Sequence, residues 1–258
     1  MARSTDGSAA DNGLHNASLA PLNGSNGPFT IVLWFKPANL TQSQKYILQE
    51  KDTAVADAQY AVIWEYVDNQ IEFFSDGFTG TDPRTGSGIT LADTNWHHLA
   101  YRKAASGASE WAYFLDGVKT VISASINFTL PGTLSQIVLF ESFSGTTPTV
   151  GNQINAALAD VAFFTVSLSD ERIAALADAY AVRGLGIRPA AHWELIGRYS
   201  PELDVWGNGN LTVRGTVSVT DHPRIIYPVA QPMGRIKAAA AAGVPYQPWF
   251  LRAPVLAQ

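Results

Sequence analysis

Apolar and polar positions alternate with a period of two over much of the chain, as in strands with one buried face. Phe29 to Lys36 is the clearest run, with Phe29, Ile31, Leu33 and Phe35 on one side and Pro37 at its end. Shorter runs follow at Lys45 to Lys51, Gln59 to Tyr66 and Gln70 to Ser75, with Asp68-Asn69 as a hairpin turn between the last two. Trp96 to Lys103, Glu110 to Leu115 and Val118 to Ile122 predict three consecutive antiparallel strands. Asp116-Gly117 joins the last two, because a type I′ turn needs positive φ at both central residues and this dipeptide tolerates it. Trp96 is expected in the core and Trp111 largely buried. Gln136 to Glu141 and Ile154 to Val166 complete the set, and Gly13 to Leu22 is an irregular first strand.

The period changes at Ser169. Ser169 is placed as an N-cap, and Asp170 and Glu171 in the first turn complement the helix dipole. Ile173, Leu176, Ala177 and Tyr180 form one apolar stripe, and Arg183-Gly184 is the stop signal. Strand-like segments return at His192 to Leu195 and Leu211 to Val219, around Trp206-Gly207-Asn208-Gly209-Asn210. A lone hairpin is not stable, so they are read as added strands or a lid on the same sandwich.

Four stretches, in order over residues 13 to 182, resemble the laminin-G-like, concanavalin A-like jelly roll. They are Phe29 to Pro37; Asn95 to Ala100 with Tyr113 to Gly117; Ala157 to Phe164; and Leu168 to Ile173. The sequence departs from the family at Ala157 and Ala159, where Gly and Ile are frequent. The resemblance implies an all-β fold: an antiparallel two-sheet jelly-roll sandwich with one short helix and an extended C-terminal arm. The expected layout is a flexible segment at 1–12, a sandwich at 13–221 (core 13–182, added strands 191–220) and an arm at 222–258.

Composition narrows the function. The chain has 258 residues, a formal net charge of −5 and no cysteine, which excludes disulfides and thiolate chemistry and argues against general nucleic-acid binding. No apolar run is long enough to span a bilayer, so no membrane insertion is expected. Met1 to Gly7 lacks the apolar core of a secretory signal. From His222 onward the chain holds Pro223, Pro228, Pro232, Pro245, Pro248 and Pro254, with Arg224, Arg235, Lys237 and Arg252 and no acidic residue. Tyr246, Trp249, Phe250, Leu251 and Arg252 are too apolar and basic to form a core alone, so with Arg224, Arg235 and Lys237 they are read as assembly or anchoring residues.

These features lead to a first reading as a non-enzymatic structural protein. It decorates a capsid or fibre of a phage-like virion, is made in a host cytoplasm, and has other virion proteins or copies of itself as partners. The alternative is an extracellular lectin-like adhesion module that binds cell-surface glycans. Its contacts would be Asp76 and Phe78 in the loop from Asp76 to Gly88, and Phe143 and Asn152 at the ends of the loop from Ser142 to Asn152. A glycoside hydrolase is the third reading. Glu202-Leu203-Asp204-Val205-Trp206-Gly207 resembles a Glu-x-Asp-x-x-Glu catalytic strand, but Gly207 stands where the acid/base carboxylate belongs. No catalytic residue is therefore assigned.

His97 and His98 invite a metal reading, yet adjacent strand side chains point to opposite faces, so both are read as structural. Related modules hold calcium at the sandwich rim, where Asp76, Asn152 and Asp160 offer oxygens. No Asp-rich loop ties them together, so no cofactor is assigned and calcium stays an alternative.

Overall fold

The structure is a computed structural model that describes residues 1–7, 12–22, 27–42, 45–52, 59–65, 70–75, 88–104, 111–122, 134–144, 147–148, 152–197, 199–207 and 209–226. All lie in one compact unit, Met1–Pro228; the second unit is Val229–Gln258.

In chain order the strands are β1 (Ala2–Asp6), β2 (Gly13–Asn16), β3 (Phe29–Pro37), β4 (Lys45–Lys51), β5 (Gln59–Glu65), β6 (Gln70–Ser75), β7 (His97–Lys103), β8 (Trp111–Leu115), β9 (Val118–Ile122), β10 (Gln136–Leu139), β11 (Phe143–Ser144), β12 (Thr147–Pro148) and β13 (Asn155–Phe164). A helix, α1 (Asp170–Ala177), follows, then β14 (Ala191–Trp193), β15 (Thr212–Arg214) and β16 (Ser218–Thr220). Eight strands form one sheet in the order β16-β1-β13-β3-β7-β8-β9, with β14 also on β13. Six form the other, β15-β2-β10-β4-β5-β6, and every pairing within the sheets is antiparallel. The fold is the expected concanavalin A-like jelly roll. The strand-like segments after residue 190 are strands of these same two sheets.

The core lies between the sheets. Phe29, Ile31, Leu33 and Phe35 of β3 meet Leu14 of β2, Leu48 of β4 and Ile137 and Leu139 of β10, all fully buried. Trp111 is buried, edge-on to Phe29 with ring centroids 5.4 Å apart and tilted against Phe73 at 5.5 Å. A second cluster lies outside the eight-stranded sheet, where Val32, Ala100, Ala112, Phe114 and Phe164 receive Ile173 and Leu176 of α1. Arg102 of β7 pins the helix by donating to the Leu168 carbonyl at 2.9 Å and to the Asp170 carboxylate. At the hairpin, Asp116 has φ 49° and Gly117 φ 80°, as the dipeptide requires.

Four expectations are corrected. The expected flexible segment contains an inner strand: Ala2–Asp6 pairs on both sides, with Leu158 and Val219 as partners of Arg3, while residues 8–11 lie outside the described residues. Its polar sequence concealed it, since both neighbours come from distant parts of the chain. Trp96 is half-buried and precedes β7, which starts at His97. Tyr180 is 53% exposed, because Ala179 leaves the helix at φ 70° and the Tyr180 backbone bridges to Ile226 instead. That bridge, with Ile226 N donating to the Ala179 carbonyl at 2.6 Å, also holds residues the arm was expected to begin with.

Candidate functional site

The two sheets differ in what covers their outer faces. Helix α1 covers part of the eight-stranded sheet. On the six-stranded sheet Leu14, Leu48, Ile71, Phe73, Ile137 and Leu139 face the core. Their neighbours His15, Gln49, Glu72, Gln136 and Val138 therefore face outward. The register sets Thr212, His15, Val138 and Gln49 in one row across β15, β2, β10 and β4. Gln136 and Lys51 stand opposite each other in the next row. This face grades in exposure. Gln49, Lys51, Glu72 and Gln136 are buried, whereas His15 and Arg214 are half-buried and Thr212 is exposed.

Glycine shapes the face at Gly13, the β2 residue opposite Arg214. A Cβ there would lie 2.5 Å from Glu141 Oε1 and 2.8 Å from the Leu139 carbonyl oxygen. The missing side chain lets the buried Glu141 carboxylate lie against the strand. At the adjoining rim, Asn152 donates through Nδ2 to Ser142 Oγ at 3.3 Å, and its carbonyl accepts from Tyr46 N at 3.0 Å. The loop end that holds Asn152 is thus tied to the first residues of β4.

Imidazole, guanidinium and hydroxyl groups share the β15–β2 end of this face. Such a set supplies the paired donors and acceptors that a polyhydroxylated ligand needs.

Of the expected glycan contacts, Asn152 stands on this rim. Asp76 and Phe78 lie outside the described residues, and β11 is described at Phe143 only as backbone. Among the arm residues, Arg224 is exposed. Arg235, Lys237, Tyr246, Trp249, Phe250, Leu251 and Arg252 lie outside the described residues. Sequence reasoning missed His15, Thr212 and Arg214. Their only signal was a polar residue at alternate positions of two short strands.

The carboxylates singled out in the sequence have other work. Glu202 is buried and accepts from Arg3 Nε at 2.6 Å. Asp204 is buried too, and its oxygens accept from Trp206 N at 2.9 Å and Gly209 N at 3.1 Å. Neither presents a nucleophile to a cleft. Asp160 accepts from the buried His192 ring at 2.6 Å rather than facing the rim. Among the described residues no three His, Asp or Glu side chains converge on a point that could hold a metal ion. Asp76, the other acidic residue of the calcium alternative, lies outside the described residues.

The histidine pair divides as the strand geometry demands. His97 sits between Asp116 and Asp93, with Nδ1 2.8 Å from Asp116 Oδ2 and Nε2 3.1 Å from Asp93 Oδ1. Hydrogen bonding to Asp116 raises its pKa above the ordinary histidine value. His98 points the other way and is fully buried, edge-on to Trp34 at 5.3 Å. Burial depresses its pKa to about 4.

With this geometry in place, the chain can be assigned to a family. It belongs to the concanavalin A-like lectin/glucanases superfamily, whose Laminin_G_3 model matches residues 7–174. No curated protein matches the sequence at a significant level. Among solved structures, the chain is similar to a candidate carbohydrate binding protein from Bacteroides ovatus. The two share 13% identity over 88% of this chain and 62% of that one, with a TM-score of 0.58. A heptameric SAP-like pentraxin from Limulus polyphemus matches at 12% identity over 70% of this chain and 83% of that one, TM-score 0.48. A Trypanosoma rangeli sialidase matches at 16% identity over 59% of this chain and 23% of that one, TM-score 0.43.

These findings correct the expectation that the chain is not an enzyme. The family takes in glucanases as well as lectins. The fold is compatible with either kind of protein and does not by itself show catalysis.

Proposed function

We propose that this protein is a lectin-like module that binds polysaccharide across the open side of its six-stranded sheet. The observation that carries the reading is the polar outer face at His15, Thr212 and Arg214, backed by Asn152 at the rim. Family membership and the similarity to a candidate carbohydrate binding protein support it. The ligand would be a glycan whose hydroxyls pair with these side chains. On this reading the module works outside a cell, where polysaccharide is met. A virion-assembly role has no observation among the described residues in its favour.

The test is binding to an array of neutral and acidic polysaccharides, followed by titration calorimetry with the best oligosaccharide. His15→Ala and Arg214→Ala should each weaken binding at least several-fold, and melting temperatures measured beside the titrations separate loss of a ligand contact from loss of stability. Unchanged affinity in both variants would remove this face from the proposal. No binding by the intact chain would end the reading.

A further inference from the structure

The connection between β14 and β15 lies beyond the stretch matched by the family model, and it is built with unusual care. Loops that only link strands are mobile and sparsely bonded. Here the buried Asp204 carboxylate accepts from the backbone N–H groups of His192, Trp206 and Gly209 at 3.3, 2.9 and 3.1 Å. Asp204 N donates to Asn210 Oδ1 at 3.0 Å, and Gly207 N closes the turn on the Asp204 carbonyl at 3.1 Å. The fully buried Trp193 donates through Nε1 to the Gly209 carbonyl at 2.8 Å, which fixes the far side of the turn to the core.

This rigid turn presents a tryptophan to solvent. Trp206 is 36% exposed, although tryptophan is usually well buried. Gly207 beside it has φ 78°, and among the described residues a Cβ there would meet nothing within 4 Å. The exposed Arg188 stands with its guanidinium carbon 6.0 Å from the ring centroid and donates to the Trp206 carbonyl at 3.4 Å.

We propose that Trp206 and Arg188 form a second saccharide-binding platform, on which the indole stacks against the C–H face of a pyranose. The chemistry fits for three reasons. An aromatic ring offers large apolar contact with little side-chain entropy to lose, and here the backbone beneath it is already fixed. Arg188, which lies over one face of the ring, leaves the other face for the sugar and adds N–H donors beside it for hydroxyls or a uronic carboxylate. The turn also touches the strand that carries the first site, since Asn16 Nδ2 donates to the Asn210 carbonyl at 2.9 Å. A long polysaccharide could therefore engage both.

The experiment uses the full chain with a neutral cello-oligosaccharide and an acidic oligogalacturonide, read by calorimetry and tryptophan emission. We expect the intact protein to bind at least one of them with a shift in emission. Trp206→Ala should weaken that binding at least tenfold with an unchanged melting temperature, and Trp206→Phe should restore part of it. Arg188→Ala should lower affinity for the acidic oligomer more than for the neutral one. If Trp206→Ala binds as the intact chain does while His15→Ala does not, this platform is refuted and the first site stands. Binding of neither oligomer, or a Trp206→Ala variant that loses affinity only because its melting temperature collapses, also overturns it.

Discussion

Arg3 and Glu202 are separated by 199 positions in the sequence and by 2.6 Å in the fold. The guanidinium also donates to the Tyr199 carbonyl at 2.6 Å, so one side chain holds the late segment against the first strand. Both residues are buried, and removing one leaves the other charge without its counterpart. Glu202→Gln should cost about 3–5 kcal/mol in denaturant titration, the range for breaking a buried pair. Replacing both residues with apolar side chains of similar volume should cost less than either single change.

Trp111 and Trp96 should respond differently to truncation. Trp111 packs between Phe29 and Phe73, and Trp111→Ala should cost about 3–5 kcal/mol. Trp96 is half-buried, so Trp96→Ala should cost distinctly less. Equal losses in chemical unfolding would mean that Trp96 has a buried role after all.

Gly13→Ala should destabilise the chain by about 1–3 kcal/mol, the usual range for overpacking. The new methyl would meet a backbone carbonyl at 2.8 Å, and backbone cannot swing aside as a side-chain tip can. Thermal melts of Gly13→Ala and Gly13→Ala/Glu141→Ala separate the two clashes. The double variant should stay destabilised, because the carbonyl clash persists.

The histidine pair predicts opposite responses to pH. The His98 pKa falls to about 4 in the fold, so between roughly 6.5 and 4 the unfolded chain holds a proton that the folded chain lacks. Stability contributed by His98 is therefore lost as pH falls through that window. His97 is raised, chiefly by hydrogen bonding to Asp116, so its contribution is present below the ordinary histidine pKa and is lost as pH rises through the folded value. Unfolding followed across pH should show the acid-side slope reduced in His98→Gln and the neutral-side slope reduced in His97→Gln.

The boundary of the sandwich can be set by truncation. Ending the chain after Pro228 should leave a cooperative melt, since that is the limit of the compact unit. Ending it after Asp221 should lower the melting temperature, because the backbone bonds between Ile226 and residues 179 and 181 are removed.

Strands inside the jelly roll were legible where apolar side chains recur at every second position. Gln70–Ser75 and Val118–Ile122 match the pattern at both ends, and Phe29–Pro37 extends it by one residue. Ala2–Asp6 was illegible because its sequence is mostly polar and its partners lie far along the chain. The helix was found, but it ends at Ala177, short of the expected stop at Arg183-Gly184, because Tyr180 bonds to a late segment that no local periodicity announces. The candidate site was sought in glycine-rich loops. The structure adds polar side chains on β2 and β15, which local pattern cannot tell from ordinary solvent-facing positions. Trp206 was seen only as part of a turn, since its exposure depends on the hydrogen bonds that Asp204 collects.

The position of β1 between β13 and β16 has a consequence for synthesis on the ribosome. Arg3 pairs with Leu158 on one side and Val219 on the other. At about 5–20 residues per second, the first of these partners is made some 8–30 s after β1, and the second later still. Throughout that interval β1 has neither neighbour with which to form a ladder. Completion of the large sheet therefore waits for Ser218–Thr220, and a fold built on such distant pairings is expected to form slowly. A nascent chain halted before residue 155 would expose the edge of β3 that β13 later covers, the kind of unpaired edge that chaperones shield.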